Sequence, residues 1–461
     1  MRASSLKGRR IGILGLGISG IGSYIALKEA GAKVIVWDEN QESRAKFLSK
    51  MLYKFNRLVV ENSIVDTNSG LWHDLDYIIF SPGIATNFPK PHKLVEIAKK
   101  YNIKIICDIE VMSQSDPYND IIAITGTNGK STVTQLTSHI LKTAEIPMEV
   151  GGNIGNSALS LSRLRVGGKY IIECSSYQLE LIDKFKPKVA LLLNLAINHT
   201  DRYKNLNDYI NAKLNIFRNQ NQDDYIVINY DNELTREIYY RLLSSKKFKK
   251  VIPFSVKTEL SNGAYIKNGQ LYYKKFLNFK LPNNWFLKGE HNKENILASV
   301  IAAHCVGVDS EKSLIKAIES FVGLKHRMEY LGTKSGVAYI NDSKATNMIA
   351  VQKAINAFKD ISWIAGGWAK GEADFSLLEN KLSNIKKAFL IGEATEKIAL
   401  FLDKYKIPYK KCDNLKKAFE DATTYSLGKG VVLMSPGFPS FDQFKNFAER
   451  GETFRKLYNK L

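Results

Sequence analysis

Apolar residues in this chain gather in short runs, separated by stretches where they recur every three or four positions. In the first hundred residues the runs cover positions 11–14, 33–37, 77–80 and 103–107, and positions 93–100 read as an amphipathic helix. Strands alternating with helices predict a parallel sheet with crossover helices. A second block opens with the run at 121–125 and continues through 170–173, 189–195 and 225–229. Within it, 264–267 and 270–275 flank Asn268-Gly269, a strong hairpin turn signal, and 293–305 is helical. The alternation resumes with runs at 338–341, 362–365, 388–391 and 430–434. The pattern predicts an α/β protein of three domains: a Rossmann-like domain over 1–109, a P-loop-type domain over 110–323 and a second Rossmann-like domain over 324–461.

Composition narrows the class. The chain has 461 residues, 44% hydrophobic and 24% charged, which suits packed cores and excludes disordered or low-complexity chains. Its formal charge of +20 points to anionic partners without distinguishing nucleic acid, membrane and phosphorylated small molecules. The basic cluster Lys246-Lys247-Phe248-Lys249-Lys250 reads as a solvated face. Cys107, Cys174, Cys305 and Cys412 form no C-x-x-C pair, so neither a zinc ribbon nor a disulfide framework is expected, and a reducing compartment fits. The apolar run at 11–26 follows Arg9 and Arg10 in the manner of a signal peptide. Glycines at 12, 15, 17, 20 and 22 break it into strand, turn and helix instead. No other stretch approaches a membrane span. A soluble cytoplasmic protein is the expectation.

Two glycine turns carry the first chemistry. Gly15-Leu16-Gly17-Ile18-Ser19-Gly20 follows one predicted strand and opens a helix, and Asp38 ends the next strand. Such a turn brings backbone N–H groups to a diphosphate at a helix N-terminus, with a ribose or base nearby. The second turn, Gly126-Thr127-Asn128-Gly129-Lys130-Ser131-Thr132, follows the apolar run 121–125. It reads as an ATP loop, with backbone N–H groups on the phosphates, Lys130 reaching the outer ones and Ser131 on Mg²⁺. The usual G-x-x-x-x-G-K-S spacing needs glycine at 124, where isoleucine stands, so this loop is two residues shorter.

Glu173 ends a buried run near the second turn, and His199 and Asp201 follow the run 189–195. That is the edge where α/β sheets place ligands. A carboxylate at a strand end and a histidine in that position suggest a metal site; a solvated carboxylate and a packed histidine are the alternatives. Lys213, in the helical stretch 209–217, reads locally as a surface lysine. In the third block Asp342, Lys344 and Thr346 lie between strand and helix, Lys370 follows Gly366-Gly367, and Ser440 sits near the C-terminus. Two lysines and two hydroxyls suit an amino acid with two carboxylates, solvated loop residues being the alternative.

The short ATP loop resembles that of the Mur ligases, the ATP-dependent amide-forming enzymes of peptidoglycan synthesis, and of their relative folylpolyglutamate synthase. Further matching segments occur in order: Gly151-Gly152-Asn153-Ile154-Gly155, Glu173–Glu180, Asn198-His199-Thr200-Asp201-Arg202-Tyr203, Gly289-Glu290-His291-Asn292 with Asn295, and Lys325-His326-Arg327. Asn341-Asp342-Ser343-Lys344-Ala345-Thr346-Asn347 and Ser440-Phe441-Asp442-Gln443-Phe444, with Asn446–Gly451, are similar to the glutamate-adding branch. The resemblance covers nearly the whole chain.

It implies a ligase joining D-glutamate to UDP-N-acetylmuramoyl-L-alanine through an acyl phosphate, with ATP and two Mg²⁺ ions. Gly17, Ile18, Ser19, Asp38, Ser81, Gly83, Asn153 and His199 would hold the UDP substrate. Gly126–Thr132, Asn292, Asn295, Arg327 and Asp342 would hold ATP. Lys344, Thr346, Lys370, Ser440, Phe441 and Phe447 would hold glutamate. Lys130, Glu173, His199 and Lys213 would be catalytic, and Ser131, Glu173, His199 and Lys213, the last as a carbamate, would bind metal. A monomer binding neither nucleic acid nor membrane is implied.

Two departures from the family pattern, Trp368 after the double glycine and Pro439 before Ser440, fall in segments expected near the amino acid. A ligase for another amino acid or L-glutamate, or a folylpolyglutamate synthase lacking a uridine site, is the nearest alternative. A P-loop nucleic-acid ATPase is favoured by the charge alone and would need clustered basic and aromatic surface.

Overall fold

The computed structural model describes residues 3–196, 202–287, 289–369 and 373–461. Three sheets organise it. The first has order β2-β1-β3-β4, with β1 (Arg10–Leu14), β2 (Lys33–Trp37), β3 (Tyr77–Phe80) and β4 (Lys104–Ile106) all parallel.

The second sheet has nine strands in the order β13-β12-β11-β10-β9-β8-β5-β7-β6. Its parallel part comprises β5 (Asp120–Thr125), β6 (Met148–Gly152), β7 (Lys169–Glu173), β8 (Val189–Leu192), β9 (Tyr225–Asn229), β10 (Lys250–Ser255) and β11 (Ala264–Lys267). β12 (Gln270–Tyr273) and β13 (Leu277–Lys280) continue it antiparallel. Positive φ at Asn268 and Gly269 makes the predicted turn between β11 and β12.

Residues Met1–Ser320 form one compact unit and Phe321–Leu461 another. Inside the first unit, Ile11, Tyr24 and Phe47 share a single core with Ile121, Leu159 and Tyr170. The two sheets are also stitched by a buried carboxylate. Glu110, in the helix Asp108–Ser115 that joins them, accepts the N–H groups of Asp183, Lys184 and Phe185 at 2.9 Å each. A buried acid needs such donors to remain where it is.

The second unit carries the sheet β14-β15-β19-β16-β17-β18: β14 (Glu329–Lys334), β15 (Val337–Asn341), β16 (Ile361–Gly366), β17 (Ile385–Ile391), β18 (Tyr409–Lys411) and β19 (Val431–Gly437). Only the β14–β15 pair is antiparallel. Side chains alternate across it as a pleat requires: Val337 and Tyr339 enter one core and Ile340 the opposite one.

The apolar run at 189–195 is strand only to Leu192, because the chain then turns and Asn194 bonds the ATP loop instead of a neighbouring strand. The sheet-edge strands β6, β14 and β18 had no apolar run to announce them: one edge faces solvent, and β18 is largely exposed.

Candidate active site

β5 is buried along almost its whole length, as a central parallel strand is. At its carboxyl end the chain turns through Gly126 and Gly129 into the helix Lys130–Thr143. Gly129 has φ of 83°, and a Cβ there would stand 2.6 Å from Asn295 Oδ1. Glycine is therefore required both by the backbone and by the close approach of Asn295. Asn295 lies in the helix Glu290–His304 and donates to Asn292 Oδ1 at 3.0 Å, so both expected ATP residues come to this turn on one helix.

The turn is braced from β8. Thr127 N–H donates to Asn194 O at 2.9 Å, Asn128 N–H to Asn194 Oδ1 at 2.8 Å, and Asn194 Nδ2 to Asn128 O at 3.1 Å. Thr127 Oγ1 lies 3.1 Å from Tyr209 Oη. Asn194 and Tyr209 were not singled out by sequence, and only proximity in the fold reveals them. Lys130 Nζ lies over the turn, donating to Gly126 O at 2.9 Å and Thr127 O at 3.0 Å. Ser131 is buried in the first turn of the helix.

Lys213 corrects the local reading of a surface lysine. It is 2% exposed, at the end of the helix Leu206–Leu214. Its Nζ donates to Gly126 O at 2.9 Å, with Thr125 Oγ1 at 3.4 Å. Burial, followed by the positive charge of Lys130, pushes its pKa down to about 7. A large share of this amine is thus uncharged at neutral pH.

Glu173 ends β7 opposite Ile124 and is 3% exposed. One carboxylate oxygen accepts from Asn153 Nδ2 at 3.2 Å, while Oε2 is buried with no hydrogen-bond partner. A buried carboxylate oxygen without a hydrogen-bond partner among the described residues, on the strand beside the one that opens the phosphate-type turn, suits a hard divalent cation. His199, with Asn198 and Asp201, lies outside the described residues. Arg202, just beyond, is buried and donates to Phe88 O, Ile84 O and Thr86 Oγ1 in the loop after β3 and to Glu180 Oε2.

The first glycine turn joins β1 to a helix. Gly15 has φ of 90°, and a Cβ would meet the Ser81 side chain at 2.7 Å. Ser81 Oγ donates to Gly15 O at 2.9 Å. The helix Ile18–Glu29 starts at Gly17 with no side-chain cap, which leaves its first N–H groups to other acceptors. Asp38 braces the turn, its oxygens accepting from Leu16 N at 2.7 Å and Asn40 N at 2.9 Å. Gly83 is exposed in the loop after β3.

In the second unit the strand ends gather the remaining residues. Asp342 is 4% exposed and accepts from Met328 N at 3.0 Å and Ser435 Oγ at 2.8 Å. Burial nevertheless raises its pKa to about 7. Arg327 stands beside Met328. Lys344 lies over the Phe447 ring at 5.7 Å. Thr346 lines a cavity of about 260 Å³ with Met348, Leu377, Phe438 and Pro439.

Among the described residues the buried Ser440 hydroxyl has no hydrogen-bond partner. The two departures from pattern prove to be one feature: Trp368 N–H donates to Pro439 O at 2.8 Å, and the Trp368 ring meets Phe441 edge-on at 5.9 Å. Lys370 lies outside the described residues.

A family model described as the Mur ligase middle domain matches residues 124–303. Full-length relatives are similar throughout. The UDP-N-acetylmuramoylalanine–D-glutamate ligase of Rickettsia prowazekii is 41% identical, covering 98% of each chain. That of Paramagnetospirillum magneticum is 38% identical over 98% of this chain and 96% of its own. Among solved structures, the UDP-N-acetylmuramate–alanine ligase of Thermotoga maritima superimposes with a TM-score of 0.59 at 18% identity, covering 98% of this chain and 99% of its own, a likeness of fold.

Proposed function

The chain belongs to the Mur ligase family, and on that premise we propose that it joins D-glutamate to UDP-N-acetylmuramoyl-L-alanine at the cost of ATP, in peptidoglycan precursor synthesis. The observation that carries this reading is the β5 turn, where Lys130 and the low-pKa Lys213 both bond Gly126 O and the buried Glu173 ends the adjoining strand opposite Ile124. Residues 1–109 hold the uridine diphosphate at Gly17, Ile18, Ser19, Asp38, Ser81 and Gly83. Residues 110–323 hold ATP, and residues 324–461 the amino acid at Lys344, Thr346, Lys370, Ser440, Phe441 and Phe447, while Arg327 and Asp342 also serve ATP binding. The enzyme works as a cytoplasmic monomer. Among the described residues no helix is long and apolar enough to cross a membrane.

The substrate carboxylate attacks the γ-phosphorus of ATP, and ADP leaves. The free amine of glutamate then attacks the acyl carbon of the resulting acyl phosphate, and the tetrahedral adduct expels phosphate to leave the amide. Lys130 offsets the charge on the transferring phosphoryl group, which is where such reactions gain most. Neutral Lys213 attacks CO₂, forming an N–C bond and releasing a proton, and so becomes an anionic oxygen donor. Ser131, Glu173, His199 and that carbamate would hold two Mg²⁺ ions, which offset phosphate charge when bound. Asn153 keeps Glu173 in position.

The test is ADP release with UDP-N-acetylmuramoyl-L-alanine and each glutamate enantiomer, singly and together. Release that needs both the UDP substrate and D-glutamate is expected. Release with L-glutamate alone as the effective partner, or with neither substrate, overturns the reading.

A further inference from the structure

Arg450 lies in the helix Phe447–Asn459 and is 1% exposed, among the largest fully buried side chains of the molecule. Buried arginines are ordinarily paired with an acid, because an isolated charge in the interior is costly. Among the described residues no carboxylate is in ion-pair contact with Arg450. Its acceptors are all neutral. Nε donates to Ser343 Oγ at 3.0 Å, Nη2 to Ser343 O and Phe438 O at 3.0 Å each, and Nη1 to Gly366 O at 3.4 Å.

These acceptors come from the carboxyl ends of three neighbouring strands, β15, β19 and β16, or from the loops just past them. Ser343 precedes Lys344 and bonds Phe447 O through its hydroxyl at 2.7 Å. Phe438 lies two residues before Ser440, and Gly366 opens the Gly366-Gly367-Trp368 turn that leads to Lys370. One guanidinium therefore bonds backbone carbonyls next to Lys344, just before Ser440 and at the start of the turn to Trp368.

Carbonyl oxygens satisfy its N–H groups without neutralising its charge, and the Asp442 carboxylate offsets that charge only from beyond ion-pair contact. In a poorly screened interior such a charge attracts an anion over several ångströms.

Resting on the function proposed above, we infer that Arg450 is a specificity-determining charge: a buried cation, with no acid in ion-pair contact among the described residues, that makes the amino-acid site select a dicarboxylate over its neutral amide. It touches no substrate and acts through its field and through the three loops it ties. Lysines at the surface of the site would attract any carboxylate; a fixed interior charge adds preference for a second one.

The experiment compares kcat/KM for D-glutamate and D-glutamine in the full-length enzyme, with KM for ATP and the UDP substrate alongside. Arg450→Gln should lower the glutamate-over-glutamine preference by about tenfold or more while leaving KM for ATP and the UDP substrate within about threefold. Ser343→Asp, which would pair the guanidinium with an acid, should lower the preference in the same direction with Arg450 still present. Arg450→Lys keeps the charge but not the fork, so it should retain the preference and lose turnover.

If the two neutralising variants do not fold, as judged by circular dichroism, Arg450→Lys decides: loss of preference in that folded variant overturns the inference. Unchanged preference in folded Arg450→Gln overturns it too, while wild-type enzyme that needs D-glutamate for ADP release leaves the proposed function intact. Wild-type enzyme with no such requirement would instead remove the proposed function itself.

Discussion

Lys213 and Arg450 are both buried cations, and among the described residues neither has a carboxylate in ion-pair contact, yet the protein uses the two in opposite ways. Lys213 finds one good acceptor, Gly126 O, and a second at 3.4 Å, and it shares its surroundings with the charge of Lys130. The cheapest response of an amine is to lose its proton, and its pKa falls to about 7. Arg450 finds four acceptors on three segments, and burial brings it only to about 10. It stays charged at neutral pH. Burial alone does not decide what a cation becomes. The headgroup and the number of acceptors decide it, so the first unit holds a partly neutral amine and the second a fixed positive charge.

The largest expected effect tests the neighbour that helps neutralise Lys213. Lys130→Ala should lower ADP release by about a thousandfold, since an aliphatic side chain supplies no charge to the transferring phosphoryl group. The fold should survive, because the carbonyls Lys130 bonds, Gly126 O and Thr127 O, belong to its own loop. Wild-type-like turnover in folded Lys130→Ala protein would remove the ATP turn from the mechanism.

A smaller but more diagnostic loss is expected for Lys213→Ala, about a hundredfold in turnover. Acetate or formate should restore part of it, because a hard cation accepts an oxygen ligand from either source. Neither anion should help Lys130→Ala, where the missing group is a cation. Full activity in Lys213→Ala, or equal rescue of both variants, would break the contrast between a lysine used as an anion's precursor and one used as a charge.

Much of this was readable in the sequence, and the gaps have physical causes. The ATP turn announces itself because an apolar strand, two glycines and Lys-Ser-Thr are contiguous, and the β11–β12 turn because Asn-Gly tolerates positive φ. Glu173 was legible as a strand-end acid near the turn, while its orphaned oxygen is a property of packing. Lys213 looked like surface because its acceptors are 87 and 88 residues away in sequence. Family resemblance implies a role that needs a neutral amine, and therefore burial or a nearby cation; the fold shows both around Lys213. Arg450 escaped notice for a related cause: a lone arginine in a helix gives no sign that it is surrounded by carbonyls from strands as far as 107 residues away. The Trp368 and Pro439 departures looked independent in sequence and are joined by a hydrogen bond in the fold.

The smallest expected effect is on stability, and it separates the two buried cations by pH window. The folded-state pKa of Lys213, about 7, lies below its ordinary value of 10.5. Between these values the unfolded chain holds a proton that the folded chain has released, so raising pH favours the folded state. Below about pH 7 both states are protonated and the desolvation cost is present in full; towards pH 10 it is relieved. Methionine in place of Lys213 does not titrate and fits an apolar surrounding. Lys213→Met should therefore be more stable than wild type near pH 7, and the gap should narrow by about 1 kcal/mol per pH unit as pH rises to about 10. Denaturant unfolding in buffer stripped of CO₂, which keeps the amine free of carbamate, measures it. The corresponding window for Arg450 begins only near pH 10, so Arg450→Met should show a constant offset from wild type over the same range. Parallel curves for wild type and Lys213→Met would mean that Lys213 keeps its proton when buried, as Arg450 does, and the contrast between them would be lost.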